Sequence, residues 1–358
     1  MLAANAAHHS VVLVGCHWQD NSREIMNTRR SIFRSALAVM MAMFYFNAAA
    51  ALADGPALQR ITMATFTSAD LAGVERDYSR WLGYHVRERG VVSAELAEAW
   101  GASGAAGKRY LLLSSEPSPE VFVRVIESEV APADWLPLTT WGWNGIEIIV
   151  DDPVALREQL RESPFRVIGE PAPLGAFPTI KAFQVVGPSG EVLYLTAETG
   201  DRSKSILPPP GGPVGRIFIM VVGGPDIDTL LDFYSSRFNF VRNPARMLAV
   251  GVIKRAQGLA EGELTPLATA RLAERGNLIE FDGYSKRTRA RPFEPGQLPP
   301  GIVSTTFAVA DLDALNVDWI APPTRHEGLA YQGQRAGTLR GPAGELIELI
   351  ETGVTAAR

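Results

Sequence analysis

Apolar and polar positions along this chain alternate in short runs, and the runs recur. Val121-Phe122-Val123-Arg124-Val125-Ile126, Ile146-Glu147-Ile148-Ile149, Leu278-Ile279-Glu280-Phe281 and Leu346-Ile347-Glu348-Leu349 each read as an apolar strand broken by one charge. Other segments carry helical spacing. Asp70-Leu71 opens one with Tyr78, Trp81 and Leu82 on a face, and Asp226-Ile227 opens another with Phe233, Tyr234 and Phe238; Asp is a favoured N-cap at both. Both close in similar phrases, Leu82-Gly83-Tyr84 and Phe238-Asn239-Phe240, where Gly or Asn suits a left-handed cap. Each is followed by a strand, a short helical insert (Ser93 to Trp100; about Val250 to Gln257) and two further strands.

A shorter kind of unit follows each of these. Val150-Asp151-Asp152-Pro153-Val154-Ala155-Leu156 matches Val309-Ala310-Asp311-Leu312-Asp313-Ala314-Leu315 in register, and each predicts a helix and a hairpin. Both units end in one phrase: Gly187-Pro188-Ser189-Gly190-Glu191-Val192-Leu193-Tyr194-Leu195 returns as Gly341-Pro342-Ala343-Gly344-Glu345-Leu346-Ile347-Glu348-Leu349. Repetition over this distance marks duplicated units. Four modules result, at 61–130, 143–198, 215–285 and 301–353. Leu207-Pro208-Pro209-Pro210-Gly211-Gly212-Pro213 reads as a semi-rigid linker. The expected organisation is an N-terminal domain at 61–200 and a C-terminal domain at 215–353, joined by 201–214.

Length and composition refine this. A chain of 358 residues, 46% hydrophobic, can fill two cores, and a net charge of -5 with no basic face interleaved with aromatics argues against a nucleic-acid partner. The basic run Lys286-Arg287-Thr288-Arg289-Ala290-Arg291, next to Pro292, reads as a solvated loop. From Met26 the chain reads as an export signal: Arg29, Arg30 and Arg34, an apolar run from Ala36 to Phe46, then Ala51-Leu52-Ala53 before Asp54. The apolar run is too short for a comfortable membrane span. Residues 26–53 are therefore expected to be a signal peptide, with 1–25 an upstream extension and the mature protein periplasmic or secreted. Thr28-Arg29-Arg30-Ser31-Ile32-Phe33-Arg34 loosely resembles a twin-arginine motif. Cleavage near Ala53-Asp54 would remove Cys16, the only cysteine, with His8, His9 and His17, leaving His85 and His326.

These motifs, in this order, resemble the vicinal oxygen chelate superfamily of glyoxalases, bleomycin-resistance proteins and extradiol dioxygenases. The resemblance rests on Asp226…Phe233-Tyr234, on Leu82-Gly83-Tyr84 and on Gly341 to Leu349, and spans about Ile61 to Glu351. It implies an α+β fold of four βαβββ modules paired into two curled-sheet cups with the ligand inside. It also implies four metal-ligand positions per cup. Counting back from the helix-opening Asp puts the first-strand positions near Met63, Gly145, Ile219 and Ser304, and the last-strand positions fall at Arg124, Tyr194, Glu280 and Glu348. The N-terminal cup then has no ligand, and the C-terminal cup keeps two acids without histidine. The His-His-Glu iron site of extradiol oxygenases cannot be assembled.

Charges within apolar strands are expected to face the cups. Glu280 and Glu348 are the candidate catalytic pair, one carboxylate raising the pKa of the other. Arg124, Glu147, Tyr194 and Trp143 would line an aromatic N-terminal cup suited to a flat or apolar anion, with Trp141 alongside; Ser304, Tyr331 and Arg335, with Arg340, would position substrate in the C-terminal one. His326, in the loop before the last hairpin, lies at the rim. No cofactor is expected; a weak divalent cation on Glu280, Glu348 and His326 stays open. No phosphate loop, dinucleotide fingerprint or hydrolase triad is recognisable. Three readings follow: an exported metal-independent lyase or isomerase acting by carboxylate chemistry on a small oxygenated compound, a non-catalytic small-molecule binder, or a divalent-metal enzyme.

Overall fold

Pairing between first and last strands organises every module. The computed structural model describes residues 55–129, 135–175 and 177–352; residues 26–53, expected to be a signal peptide, the stretch before them and Cys16 lie outside. In module one β1 (Leu58–Ser68) runs parallel to β4 (Phe122–Glu127), with β3 (Arg109–Ser115) and β2 (Tyr84–Val91) added antiparallel beyond. The same plan recurs in β5 (Gly142–Val150), β6 (Arg166–Leu174), β7 (Phe177–Val186) and β8 (Val192–Glu198). It recurs again in β9 (Val214–Gly224), β10 (Arg246–Leu248), β11 (Thr265–Arg271) and β12 (Leu278–Gly283). Module four supplies β13 (Ile302–Val309), β14 (Thr324–Arg325), β15 (Arg335–Arg340) and β16 (Leu346–Glu351).

Modules then join through their first strands, and not in the expected pairs. β1 pairs antiparallel with β13, and β5 with β9. One eight-stranded sheet therefore holds modules one and four, in the order β14-β15-β16-β13-β1-β4-β3-β2. The other holds modules two and three, in the order β10-β11-β12-β9-β5-β8-β7-β6. Each sheet thus draws on both halves of the chain, and the described residues fall in one compact unit. The physical reason is the shared core. The faces of the two sheets that carry Phe66, Val123, Phe307 and Ile347 on one side and Trp143, Ile148, Met220 and Phe281 on the other belong to a single apolar cluster. The chain therefore crosses between sheets after modules one and three. The proline-rich linker joins β8 to β9, which flank β5 in the second sheet, so it connects two modules of one sheet.

The helices follow the predicted grammar with two exceptions. They are α1 (Leu71–Asp77), α2 (Ala94–Ala99), α3 (Pro153–Gln159), α4 (Ile227–Phe238) and α5 (Gly251–Gln257). Asp70 caps α1 by accepting from the Gly73 amide, and Asp226 caps α4 through the Asp228 amide. α1 does not continue as a regular helix through Trp81: Tyr78–Leu82 winds as a π-helical turn before Gly83 at φ +67°. The helix expected after Val309 is absent. Among the described residues the stretch from β13 to β14 holds turns and one isolated bridge, Trp319 to Leu339, with the Leu312 amide and Asp313 tied to Glu351 and Arg335.

The repeated phrase pins successive modules together behind the sheets. Glu191 accepts from Tyr78 Oη at 2.8 Å and from the Ser189 amide at 2.9 Å. Glu345 accepts from Tyr234 Oη at 3.1 Å and from the Ala343 amide at 2.9 Å. Burial pushes both carboxyls up to about 7 against these hydrogen bonds.

Candidate functional site: two unlike cups

Strand register fixes which side chains meet inside each concave face. In the first sheet Thr65 lies opposite Arg124 and Thr306 opposite Glu348. In the second, Glu147 lies opposite Tyr194 and Val221 opposite Glu280. The first-strand positions are thus two residues later than counted from the helix-opening Asp. Met63, Gly145, Ile219 and Ser304 give way to Thr65, Glu147, Val221 and Thr306. The candidate pair Glu280 and Glu348 is also separated, because the two carboxylates belong to different sheets.

The first cup is closed by its own side chains. Arg124 Nη2 lies 3.1 Å from Glu348 Oε2, with both side chains almost wholly buried (2% and 1% exposed). Glu348 also accepts from Trp100 Nε1 at 2.8 Å, Tyr331 Oη at 2.8 Å and Thr306 Oγ1 at 2.6 Å. Arg124 donates to Thr65 Oγ1 at 3.0 Å and to the Tyr331 hydroxyl. Its guanidinium sits 4.5 Å from the Trp100 ring centroid. Burial alone would raise the Glu348 carboxyl; Arg124 and the hydrogen bonds reverse this and hold it below the ordinary carboxylate range. His326 is buried at the edge of this network, its ring 5.3 Å from that of Tyr331. Burial lowers its pKa, with Glu348 opposing and Arg124 assisting.

The second cup is acidic and unfinished. Alternation along β12 places Glu280, Asp282 and Tyr284 on the face opposite the core residues Ile279 and Phe281. Glu147 holds one hydrogen bond, from Thr196 Oγ1 at 2.5 Å. Both oxygens of Asp282 and the hydroxyls of Tyr194 and Tyr284 are buried without a protein partner. Burial pushes Glu147 up to about 7. Burial and then repulsion from Glu147 push Asp282 up to about 8. Burial, Asp282 and Glu147 together hold Glu280 well above the usual range. Among the described residues no cation offsets the charge at any of the three. Glu280 alone keeps partial exposure. α5 contributes Val252 and Ile253, which pack with Tyr194, Val221 and Tyr284 over one end. Tyr284 also lines a surface cleft of about 340 Å³ with Leu259, Thr265 and Gly283.

The sequence-predicted site residues therefore divide. Arg124, Glu348 and Tyr331 meet in the first cup, where Ser304 is buried two residues before Thr306. Glu147, Tyr194 and Glu280 meet in the second. Two expectations are corrected. Trp143 is buried between the sheets, its Nε1 2.7 Å from the Leu346 carbonyl and its ring 6.2 Å from Phe307. An irregularity in the β5–β9 pairing between Trp143 and Gly145 turns it from the concave face. Arg335 faces outward in ion pairs with Asp313 at 2.6 Å and Glu351 at 3.5 Å; Arg340 is likewise outside, bonded to the Gly344 carbonyl.

Asp282 and Tyr284 were overlooked, although the period-two pattern Glu280, Asp282, Tyr284 was readable. Trp100 was unreadable as a site residue, because nothing in an apolar helical insert says which ring will turn toward a strand residue 248 positions away.

The first cup does not suit the metal positions implied by the resemblance, because a guanidinium fills one of them and is paired with the only carboxylate. In the second, Glu147, Tyr194 and Glu280 offer oxygen alone, the donor type of hard divalent cations and not of zinc or iron sites built on nitrogen, and among the described residues no three His, Cys, Asp or Glu side chains converge as ligands.

No family model and no curated protein sequence matches this chain. Solved structures do. Glyoxalase I from Zea mays superposes with a TM-score of 0.54 at 15% identity, over 82% of this chain and 92% of that one. A putative dioxygenase from Bacillus subtilis subsp. subtilis str. 168 gives 0.52 at 13% identity, over 83% and 86%. At such identities the likeness speaks for the fold alone. This chain has the α+β vicinal oxygen chelate fold, with four modules closed into two cups.

Proposed function

We propose that this chain is an acid–base enzyme whose chemistry occurs in the second cup, a lyase or isomerase acting on a small oxygenated compound. The observation that carries the reading is a set of three carboxyls on one concave face, without a counter-charge, next to two phenols without partners. Such a group shares protons near neutral pH, so one member is ionised while its neighbour is protonated. The ionised member can take a proton from carbon next to a carbonyl, and a protonated carboxyl or Tyr194 can donate to the oxygen that gains charge. Glu280 is the best-placed proton carrier, being the acid that solvent reaches. Residues 26–53 support export as the companion proposal.

Solvent deuterium exchange tests this without knowledge of the natural substrate. A panel of small aldehydes, ketones and hydroxyketones in D2O should include compounds that exchange in the presence of the protein. Glu280→Gln should slow that exchange by about 10²-fold or more with the melting temperature preserved. Exchange that survives this substitution would remove the catalytic assignment. The apolar wall of Val221, Val252 and Ile253 favours a second reading, sequestration, which predicts binding with no exchange.

A further inference from the structure

We infer that the second cup takes a ligand carrying a positive charge, a small ammonium or amidinium compound, seated where the first cup holds its own arginine. This names the substrate class of the site proposed above, and so rests on that site being the working one. The internal repeat points to this ligand. Module one corresponds to module three and module four to module two, so Arg124 corresponds to Glu280, Glu348 to Tyr194, Thr306 to Glu147 and Thr65 to Val221. In the first cup the chain sets one guanidinium against one carboxylate and boxes it with aromatic faces, Trp100 at 4.5 Å and Tyr331 at 5.9 Å. In the second cup the equivalent of that guanidinium is a third acid.

Buried carboxylates without a partner are costly, and two remedies exist: protons, or a cation that displaces them. The unpartnered groups suit a cation. Asp282 offers two acceptor oxygens, Tyr194 and Tyr284 offer phenol oxygens and ring faces, and an ammonium brings up to three donors and no acceptor. A carboxylate ligand would add a fourth negative group to this space. Nearby cations are engaged elsewhere. Lys254 on α5 pairs with Glu261, Arg255 donates to the Ile168 carbonyl, and Arg291, whose charge reaches Tyr284, is bound to the Ile302 and Trp143 carbonyls.

Calorimetry with methylammonium, benzylammonium, benzyltrimethylammonium, benzyl alcohol and benzoate at pH 8 tests the inference. At least one ammonium should bind ten-fold or more tightly than benzyl alcohol, and benzoate should not bind. Glu280→Gln and Asp282→Asn, which preserve shape, should each weaken the ammonium ten-fold, while Asp313→Asn on the outer surface should change nothing. Benzyltrimethylammonium, whose charge does not titrate, should bind more tightly from pH 6 to pH 8.5, by up to about ten-fold per pH unit for each proton displaced. The inference fails if no ammonium binds, if benzoate or the alcohol binds equally well, or if affinity survives both substitutions. Deuterium exchange separates it from the catalytic reading. Exchange lost in Glu280→Gln without ammonium binding sinks the cation and keeps the acid–base site. Ammonium binding without exchange does the reverse.

Discussion

One fold closes two cups in this chain and solves the problem of buried charge in opposite ways. In the first, Arg124 and Glu348 neutralise each other and Thr65, Thr306, Trp100 and Tyr331 satisfy the remaining valences. A network with every member bonded rigidifies its surroundings and leaves nothing for a ligand. In the second, Glu147, Glu280 and Asp282 repel one another with no cation pairing them among the described residues, and four polar atoms have no partner. Native proteins seldom leave such groups in place without a use. The contrast teaches that matched positions in duplicated modules are not matched in role, and that the unsatisfied member of the pair is where function is to be sought.

The largest effect should come from breaking the finished cup. Arg124→Met leaves Glu348 buried and unpaired and should cost about 3–5 kcal/mol by urea denaturation. Adding Glu348→Leu should restore most of that loss, since no lone charge remains.

Next in size is the pH response of the unfinished cup. A carboxyl whose pKa is raised in the fold binds its proton more tightly there than in the unfolded chain. Its stabilisation is complete below the ordinary carboxylate range and is lost as pH rises through about 7 for Glu147 and about 8 for Asp282. The melting temperature should therefore fall between pH 5.5 and pH 8.5. Asp282→Asn should reduce the fall and add roughly 1–3 kcal/mol at the upper end. Glu191 and Glu345, each at about 7, contribute the same sign and should leave a residual slope.

Tyr78→Phe and Tyr234→Phe probe what the two halves share. Each removes the phenol donor from a buried glutamate and should cost about 1–2 kcal/mol, equally in both halves. Arg335→Ala should matter least. Its pair with Asp313 is exposed, so a loss of under about 1 kcal/mol and unaltered ligand binding are expected.

Much of this was legible in the sequence, for stated reasons. Module boundaries, capping aspartates and the repeated turn are local signals, and Asp70, Asp226 and both Gly-Pro phrases act where they were read. A lone charge in an apolar strand also located Arg124, Glu147, Glu280 and Glu348 on concave faces. What local pattern could not supply was which module sits beside which. That choice depends on the core shared by Phe66, Trp143, Met220 and Phe307, contacts without a local signature. The same holds at the site, where Glu280 and Glu348, read as one pair, stand in different sheets. The segment after Val309 and the outward Arg335 have a different origin, the contacts among Leu312, Asp313, Arg335 and Glu351 within module four.

The most direct test is a carboxyl titration by ¹³C NMR on protein labelled at Glu Cδ and Asp Cγ, with assignments from single Gln and Asn substitutions. The account predicts that Glu147 and Asp282 titrate near 7 and 8, that Glu280 remains protonated above the usual range, and that Glu348 stays ionised below it. Ordinary titration of Glu147, Glu280 and Asp282 near 4, together with Glu348 titrating near neutrality, would contradict it and move the working site to the first cup.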